Sequence, residues 1–279
     1  MSSLACTIEG IGFWSRGLPS WEAALAFARA GVLPEQAPAK PSPQLLAANE
    51  RRRAPETVAV ALEVALAACR DAGREPGSLP SVFASSQGDL VIADYMSATL
   101  AASPAAISPT RFHNSVHNAA AGYWTIGTGA MHPATALSAG PGTFAQGLLE
   151  ALAQLACGAP AVLLVGYDGA AIGPLGGVVR SEGLLGCALV LGREARSGAP
   201  RLRARLAGHG ANHGAADADV DAAGPLARHA VGNASSPMLP LFDALARGTT
   251  GATLDAGAGR RLEITFDEQA GRQGGAHES

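Results

Sequence analysis

The chain has 279 residues, with 20 lysines and arginines against 23 acidic residues and a net charge of −3. That length supports a real hydrophobic core in one large domain or two small ones, and the charge balance argues against a nucleic-acid binder, which would carry a basic face. Apolar residues make up 48% of the chain, yet no apolar run approaches the roughly 18–20 residues that cross a bilayer.

In chain order, 5–14 (ACTIEGIGFW) reads as a first strand, and Ser20 as the cap of a helix that Gly31 stops, with Trp21, Leu25, Ala28 and Val32 on one face. A proline-rich connector covers 34–44, and Arg51-Arg52-Arg53 reads as a solvated helix entry. Pro55 opens the clearest helix: Val58, Leu62, Ala65, Leu66 and Cys69 share a face and Gly73 ends it. A short strand at 81–85, a helix at 91–100, an irregular loop over 103–118 and a helix over 119–128 follow. The clearest stretch is central: strand 135–138, a small-residue turn at 139–142, and a helix to Cys157 with Phe144, Leu148, Leu152 and Leu155 as its stripe. AVLLVGYD (161–168) is the continuous apolar run of a doubly covered strand. Strands at 184–192 and 201–208, a polar stretch to 236, a helix over 237–247 and a strand at 262–266 complete an α/β alternation. The expected division is one domain over 1–268, with a core of 4–210, a diverged part over 211–268, and a disordered tail over 269–279.

Four cysteines, Cys6, Cys69, Cys157 and Cys187, stand far apart in apolar stretches without a CxxC pair, which predicts small reduced core residues. With no basic residue before Arg16 and no apolar leader, a cytoplasmic location is expected.

NSVHNAAAGYWTIGTG (114–129), through Asn118, Ala121 and Gly122, resembles the Asn-x-x-Ala-Gly helix of β-ketoacyl synthases. TALSAGPGTFAQGLLEALAQLACGAPAVLLVGYD (135–168) resembles their nucleophile strand, elbow and helix, although the last strand ends in Gly166-Tyr167 where the family has Gly-Gly. RSEGLLGCALVLGRE (180–194) resembles their glycine-rich hairpin. The resemblance spans about 4–210 and implies a thiolase-like fold: the N-terminal half of a ketosynthase, helices layered around a mixed sheet. In an active member a cysteine occupies the elbow, where the helix dipole and backbone N–H groups stabilise thiolate and oxyanion. Here that position falls on Ala139 or a neighbour up to Pro141, and 135–145 holds no cysteine. His-Gly-Thr and Asn-x-x-Phe-Gly, which carry the family's catalytic histidines, do not occur after Gly208. RFHNSVHNAAAGYW and TALSAGPGTFAQGLLEA are most similar to the short chain-length-factor subunits of aryl polyene, xanthomonadin-type and dialkylresorcinol pathways. The resemblance implies a non-catalytic partner of a full-length ketosynthase in a heterodimer that acts on acyl carrier protein; alone, the chain could homodimerise. It places Phe112, His113, Asn114, His117, Asn118, Tyr123 and Phe144 near an acyl tunnel or partner interface. Strand 161–168 is assigned as the sheet edge that extends across the interface, with Leu163 and Val165 on one of its faces.

Other readings compete at several residues. His113 and His117 are four apart, as zinc ligands often are, and so are His209 and His213, but neither pair has a third ligand at metal spacing. No metal is expected. Pro109 places His113 in a loop. Ser138 could be a hydrolase nucleophile, but the Gly-x-Ser-x-Gly of that elbow lacks its first glycine; a stand-alone serine acyl-transfer or hydrolase activity stays as the alternative. Phe112, Tyr123, Trp124 and Phe144 are either core packing or the wall that limits an acyl chain's length. No Gly-x-Gly-x-x-Gly opens a helix after a strand, so no nucleotide cofactor is expected.

Overall fold

A computed structural model describes residues 3–208 and 223–267. His209, His213 and the tail 269–279 lie outside the described residues. Strand β1 (Leu4–Ser15) precedes helices α1 (Trp21–Ala30), α2 (Ala48–Arg51) and α3 (Glu56–Ala72), and strand β2 (Ser81–Ala84) follows them. Helices α4 (Leu90–Ala102), α5 (Pro109–Asn114) and α6 (Ala119–Thr128) lead to β3 (Ala134–Leu137), α7 (Thr143–Ala156) and β4 (Ala161–Asp168). Next come β5 (Leu185–Gly192), β6 (Arg201–Ala207), α8 (Pro225–His229), α9 (Leu239–Arg247), β7 (Gly251–Asp255) and β8 (Arg261–Phe266).

Among the described residues the strands form one mixed eight-stranded sheet in the order β3-β2-β4-β5-β1-β6-β8-β7. β2 runs parallel to β3 and β4, and the other pairings are antiparallel. Helices cover both faces. α3 and α6 pack on one side around Leu62, Val64, Phe83, Trp124, Leu163 and Val165. α1, α7 and α9 pack on the other around Phe13, Phe144, Leu148, Leu164 and Phe242.

The position of α3 follows from IEGIG in β1. A Cβ on Gly10 would stand 2.3 Å from the Ala68 carbonyl oxygen, and one on Gly12 would stand 2.0 Å from that of Val64. Only glycine lets this helix lie so close to the strand, and twelve of its residues, from Thr57 to Ala72, are buried. Ser20 caps α1 by accepting from the Ala23 N–H at 3.3 Å, and Gly31, at φ +68°, ends it. Val32 is therefore beyond the helix and 56% exposed instead of on its apolar face.

Three further expectations are corrected. The 103–118 loop contains α5: Pro109 takes the first helical position and Ser108 caps it, so His113 is helical. Cys157 is exposed at the end of α7, while Cys6, Cys69 and Cys187 are buried. β4 is not an edge, because β2 and β5 flank it and leave Leu163 and Val165 fully buried. The sheet's edges are β3 and β7.

Leu163→Asp is therefore expected to unfold the chain instead of dissociating a complex. An unpaired carboxylate at this depth costs several kcal/mol against a total stability of about 5–15 kcal/mol. Circular dichroism should show loss of the cooperative transition; a folded Leu163→Asp protein would contradict the central placement of β4.

Candidate functional site

β3 delivers the chain to the elbow at the C-terminal end of the parallel strands. Ser138 and Ala139 leave the strand, Gly140–Gly142 make a 3₁₀ turn with Gly140 at φ +57°, and α7 begins at Thr143. Ala139 has φ −147° and ψ 36° and is exposed. Its N–H donates to Thr143 Oγ1 at 2.9 Å, and that hydroxyl donates to the Gly140 carbonyl at 2.7 Å. The donor that a nucleophile position would offer to an oxyanion is thus held by a side chain. Gly142 is needed for close packing: a Cβ there would stand 2.7 Å from the backbone of Ala256 and Gly257, at the turn between β7 and β8. Gln146 Nε2 also donates to the Ala256 carbonyl at 2.6 Å.

Ser138 does not form a nucleophile–base pair. Its Oγ donates to the Ser86 carbonyl at 3.0 Å, and no imidazole or carboxylate of the described residues hydrogen-bonds to it. His117 is held elsewhere: its Nε2 lies 2.8 Å from the Ser85 carbonyl, and because that oxygen only accepts, Nε2 carries the proton. The buried thiols are no substitute, since desolvation pushes Cys6 and Cys69 up to about 12 and raises Cys187 further from thiolate. Cys157 is at the opposite end of α7 from the elbow.

A carboxylate that the sequence reading passed over holds the elbow together. Asp168, the last residue of β4, is fully buried. It accepts from Ser85 Oγ at 2.7 Å, Ser235 Oγ at 2.6 Å, and the Ser86 and Gln87 N–H groups at 3.0 Å. Ser86 Oγ in turn donates to the Gly140 carbonyl at 3.1 Å. Desolvation pushes the Asp168 carboxyl above the usual aspartate range, against the pull of its four donors. The signal available in the sequence was a single aspartate ending an otherwise apolar strand, facing the polar SSQGD turn.

The remaining predicted residues separate into two groups. On α5 and α6, Asn114 is buried and accepts from the Tyr123 hydroxyl at 3.1 Å, and the His113 ring meets the Tyr123 ring edge-on at 6.3 Å. Phe112 is 60% exposed, and Asn118, at the start of α6, makes no side-chain cap. Phe144, Leu163 and Val165 instead lie in the core, Phe144 against Phe242 with centroids 5.9 Å apart. Phe144 is 5% exposed and lines none of the three cavities described. Among the described residues no group of three or more His, Cys, Asp or Glu side chains could hold a metal ion.

The family model of the β-ketoacyl synthase N-terminal domain matches residues 21–230. The chain belongs to this family. Its fold is the thiolase-like ketosynthase fold, as solved structures also show. One, the ketosynthase (ApeO) in complex with its chain length factor (ApeC) from Xenorhabdus doucetiae, matches with a TM-score of 0.68 and 21% identity over 95% of this chain and 97% of that one. The ishigamide ketosynthase/chain length factor matches at 0.58 and 15% identity over 73% and 67% of the two chains. AntDE:AntF, a type II polyketide synthase acyl-carrier protein in complex with its ketosynthase, matches at 0.68 and 10% identity over 95% and 99%. No functionally curated protein matches the chain.

The raised Asp168 value has a measurable sign. An acid whose pKa is raised by folding contributes stability that is full below the ordinary aspartate value, about 4, and is lost as pH rises through the folded value. The difference in unfolding free energy between the natural protein and Asp168→Asn, which does not titrate, should fall over that rise and then level off. Urea denaturation from about pH 4 to about pH 8 reads this slope, and a difference independent of pH contradicts the raised value.

Proposed function

We propose that this ketosynthase-family chain is a non-catalytic, chain-length-factor-like subunit. It pairs with a complete ketosynthase, and the pair extends an acyl chain held on an acyl carrier protein. The observation that carries this reading is Ala139: strand, elbow and helix are intact, and the residue at the turn is one that cannot be acylated. Two features add support. The chain matches 97% of a chain in a solved ketosynthase–chain length factor complex, so the two are of similar length. The N–H of Ala139 and the hydroxyl of Ser138 both already have partners within the chain. Buried free cysteines suit a reducing compartment, and the cytoplasm is part of this proposal. No described helix is long and apolar enough to cross a membrane.

The interface we infer is the β3 edge with the helices beside it. Among the described residues β3 pairs only with β2, and its sequence, ATAL, has no charge or proline to block a further strand. Exposed apolar side chains stand on α6, which packs beside β3, and in the turn after it, Ile126 at 82% and Met131 at 95%, and on α5 and the turn after that helix, Phe112 at 60% and Val116 at 49%. An obligate interface buries about 2,000 Å² or more, and such a face suits one.

Co-expression with the ketosynthase of the same gene cluster, followed by size-exclusion chromatography, tests the proposal. A stoichiometric heterodimer is expected, whereas Ile126→Asp and Met131→Asp should elute as folded, separate species. Intact mass after incubation with acyl thioesters should show no adduct on this chain. Separate elution with an unaided, fully active ketosynthase would overturn the assignment, and an adduct on Ser138 would restore the serine reading.

A further inference from the structure

The C-terminal end of α1 and the short helix α8 border an open cavity of about 420 Å³, within the range that takes small molecules. Phe27, Ala28 and Pro225 form its apolar wall, and Arg29, Arg228 and His229 its polar one. No carboxylate lines it, and these three polar side chains make no ion pair among the described residues. The elbow, β3, α5 and α6 contribute nothing to it, so the site is separate from the subunit reading.

A backbone carbonyl anchors each polar side chain and leaves its other nitrogens open. Arg29 Nε donates to the Ala246 carbonyl at 2.7 Å, which orients the guanidinium while Nη1 and Nη2 make no hydrogen bond among the described residues. Arg228 commits only Nη1, to the Ala223 carbonyl. His229 Nε2 lies 2.9 Å from the Arg16 carbonyl; that oxygen only accepts, so Nε2 carries the proton and Nδ1 is the acceptor of the neutral ring. Nδ1 has no partner among the described residues and is open to solvent. The ring is held against Phe27, with centroids 5.0 Å apart. Two negative groups at this end of the fold are already engaged. The Phe27 carbonyl, at the end of α1, accepts from the Gly31 N–H at 2.8 Å. Asp243, 4% exposed, accepts from the Leu226 and Ala227 N–H groups of α8 at 2.9 and 3.0 Å.

We propose that this cavity binds a small phosphomonoester. Arg29 and Arg228 hold the phosphate oxygens through charge-assisted hydrogen bonds, and two guanidinium groups match a dianion better than the single charge of a carboxylate. The ester substituent lies on the Phe27 and Pro225 side. His229 selects phosphate among anions. A phosphomonoester exchanges its second proton near pKa about 6, so one proton between a P–OH and Nδ1 makes a hydrogen bond whichever of the two holds it. Sulfate has no proton to bring. Inorganic phosphate shares the head-group chemistry but lacks the substituent that the apolar wall would meet.

Titration calorimetry of the full chain near neutral pH, in a buffer free of phosphate, tests this with phenyl phosphate, inorganic phosphate and sulfate. Phenyl phosphate should fill one saturable site, more tightly than inorganic phosphate and at least about tenfold more tightly than sulfate. Arg228→Gln should weaken it at least about tenfold. His229→Gln keeps an N–H for the Arg16 carbonyl and should remove the preference for phosphate over sulfate. Arg261→Gln, an exposed change on β8, should leave binding unchanged. Arg228 is exposed and His229 half-buried, so circular dichroism should find both variants folded. Absence of saturable heat, sulfate or inorganic phosphate binding as tightly as phenyl phosphate, or an Arg228→Gln chain that binds like the natural one would each overturn the proposal.

Discussion

Asp168 is the point on which the elbow's geometry depends. A fully buried carboxylate is tolerated only if donors surround it, and its four come from two loops that are distant in sequence, 85–87 and Ser235. A third loop joins through Asn233, whose Nδ2 donates to the Asp168 carbonyl at 3.2 Å and the Glu182 carbonyl at 2.9 Å. The turn held in this way presents the Ser85 carbonyl to His117, the Ser86 carbonyl to Ser138 and the Ser86 hydroxyl to Gly140. Removing the carboxylate would leave several buried donors unpaired at about 1–3 kcal/mol each. The elbow is therefore fixed by a polar network below it, and that network holds its shape with no reactive side chain at the turn.

The turn between β7 and β8 packs beside the same elbow. β6, β8 and β7 extend the sheet past β1, and the turn between β7 and β8 packs its backbone on Gly142 and takes a hydrogen bond from Gln146. Any side chain at position 142 would push that turn away. Such contacts hold the elbow rigid, while Ser138 and Ala139 stay exposed on the wall of an open cavity of about 650 Å³ that the β7–β8 turn also lines.

The order and type of most elements were legible because their signals are local. Ser20 and Gly31 bracket α1, Gly73 ends α3, and the small-residue turn at 139–142 lies between a strand and an apolar-striped helix. Sheet order is not local. AVLLVG reads equally well as an edge awaiting a partner and as a strand with neighbours on both sides, and only the pairing with β2 and β5 separates the two. α5 was hidden because Ser-Pro-Thr signals a turn as strongly as a helix start, and β7, GATLD, is too short and small to carry a pattern. At the site, the resemblance pointed to Ala139, while Asp168 read only as the last residue of the apolar strand 161–168. Its role arises from donors some 80 residues earlier and 67 later, which no window along the sequence could bring together.

A division of labour follows for the proposed heterodimer. β3 carries two alanines, Ala134 and Ala136, and a half-buried leucine, so its outer edge offers a partner mainly backbone N–H and C=O groups. Main-chain pairing of that kind supplies affinity with little discrimination, because every strand presents the same groups. Discrimination must then come from exposed side chains on the neighbouring elements: Ile126 on α6, which packs beside β3, Met131 in the turn before β3, and Phe112 and Val116 on α5 and the turn after it. These side chains stand on elements positioned by burial elsewhere, α6 through Trp124 and α5 through Asn114, both almost fully enclosed. Exchanging the exposed residues would thus alter partner choice without disturbing the sheet, whereas the apolar residues of β4, at the sheet's centre, are committed to folding alone.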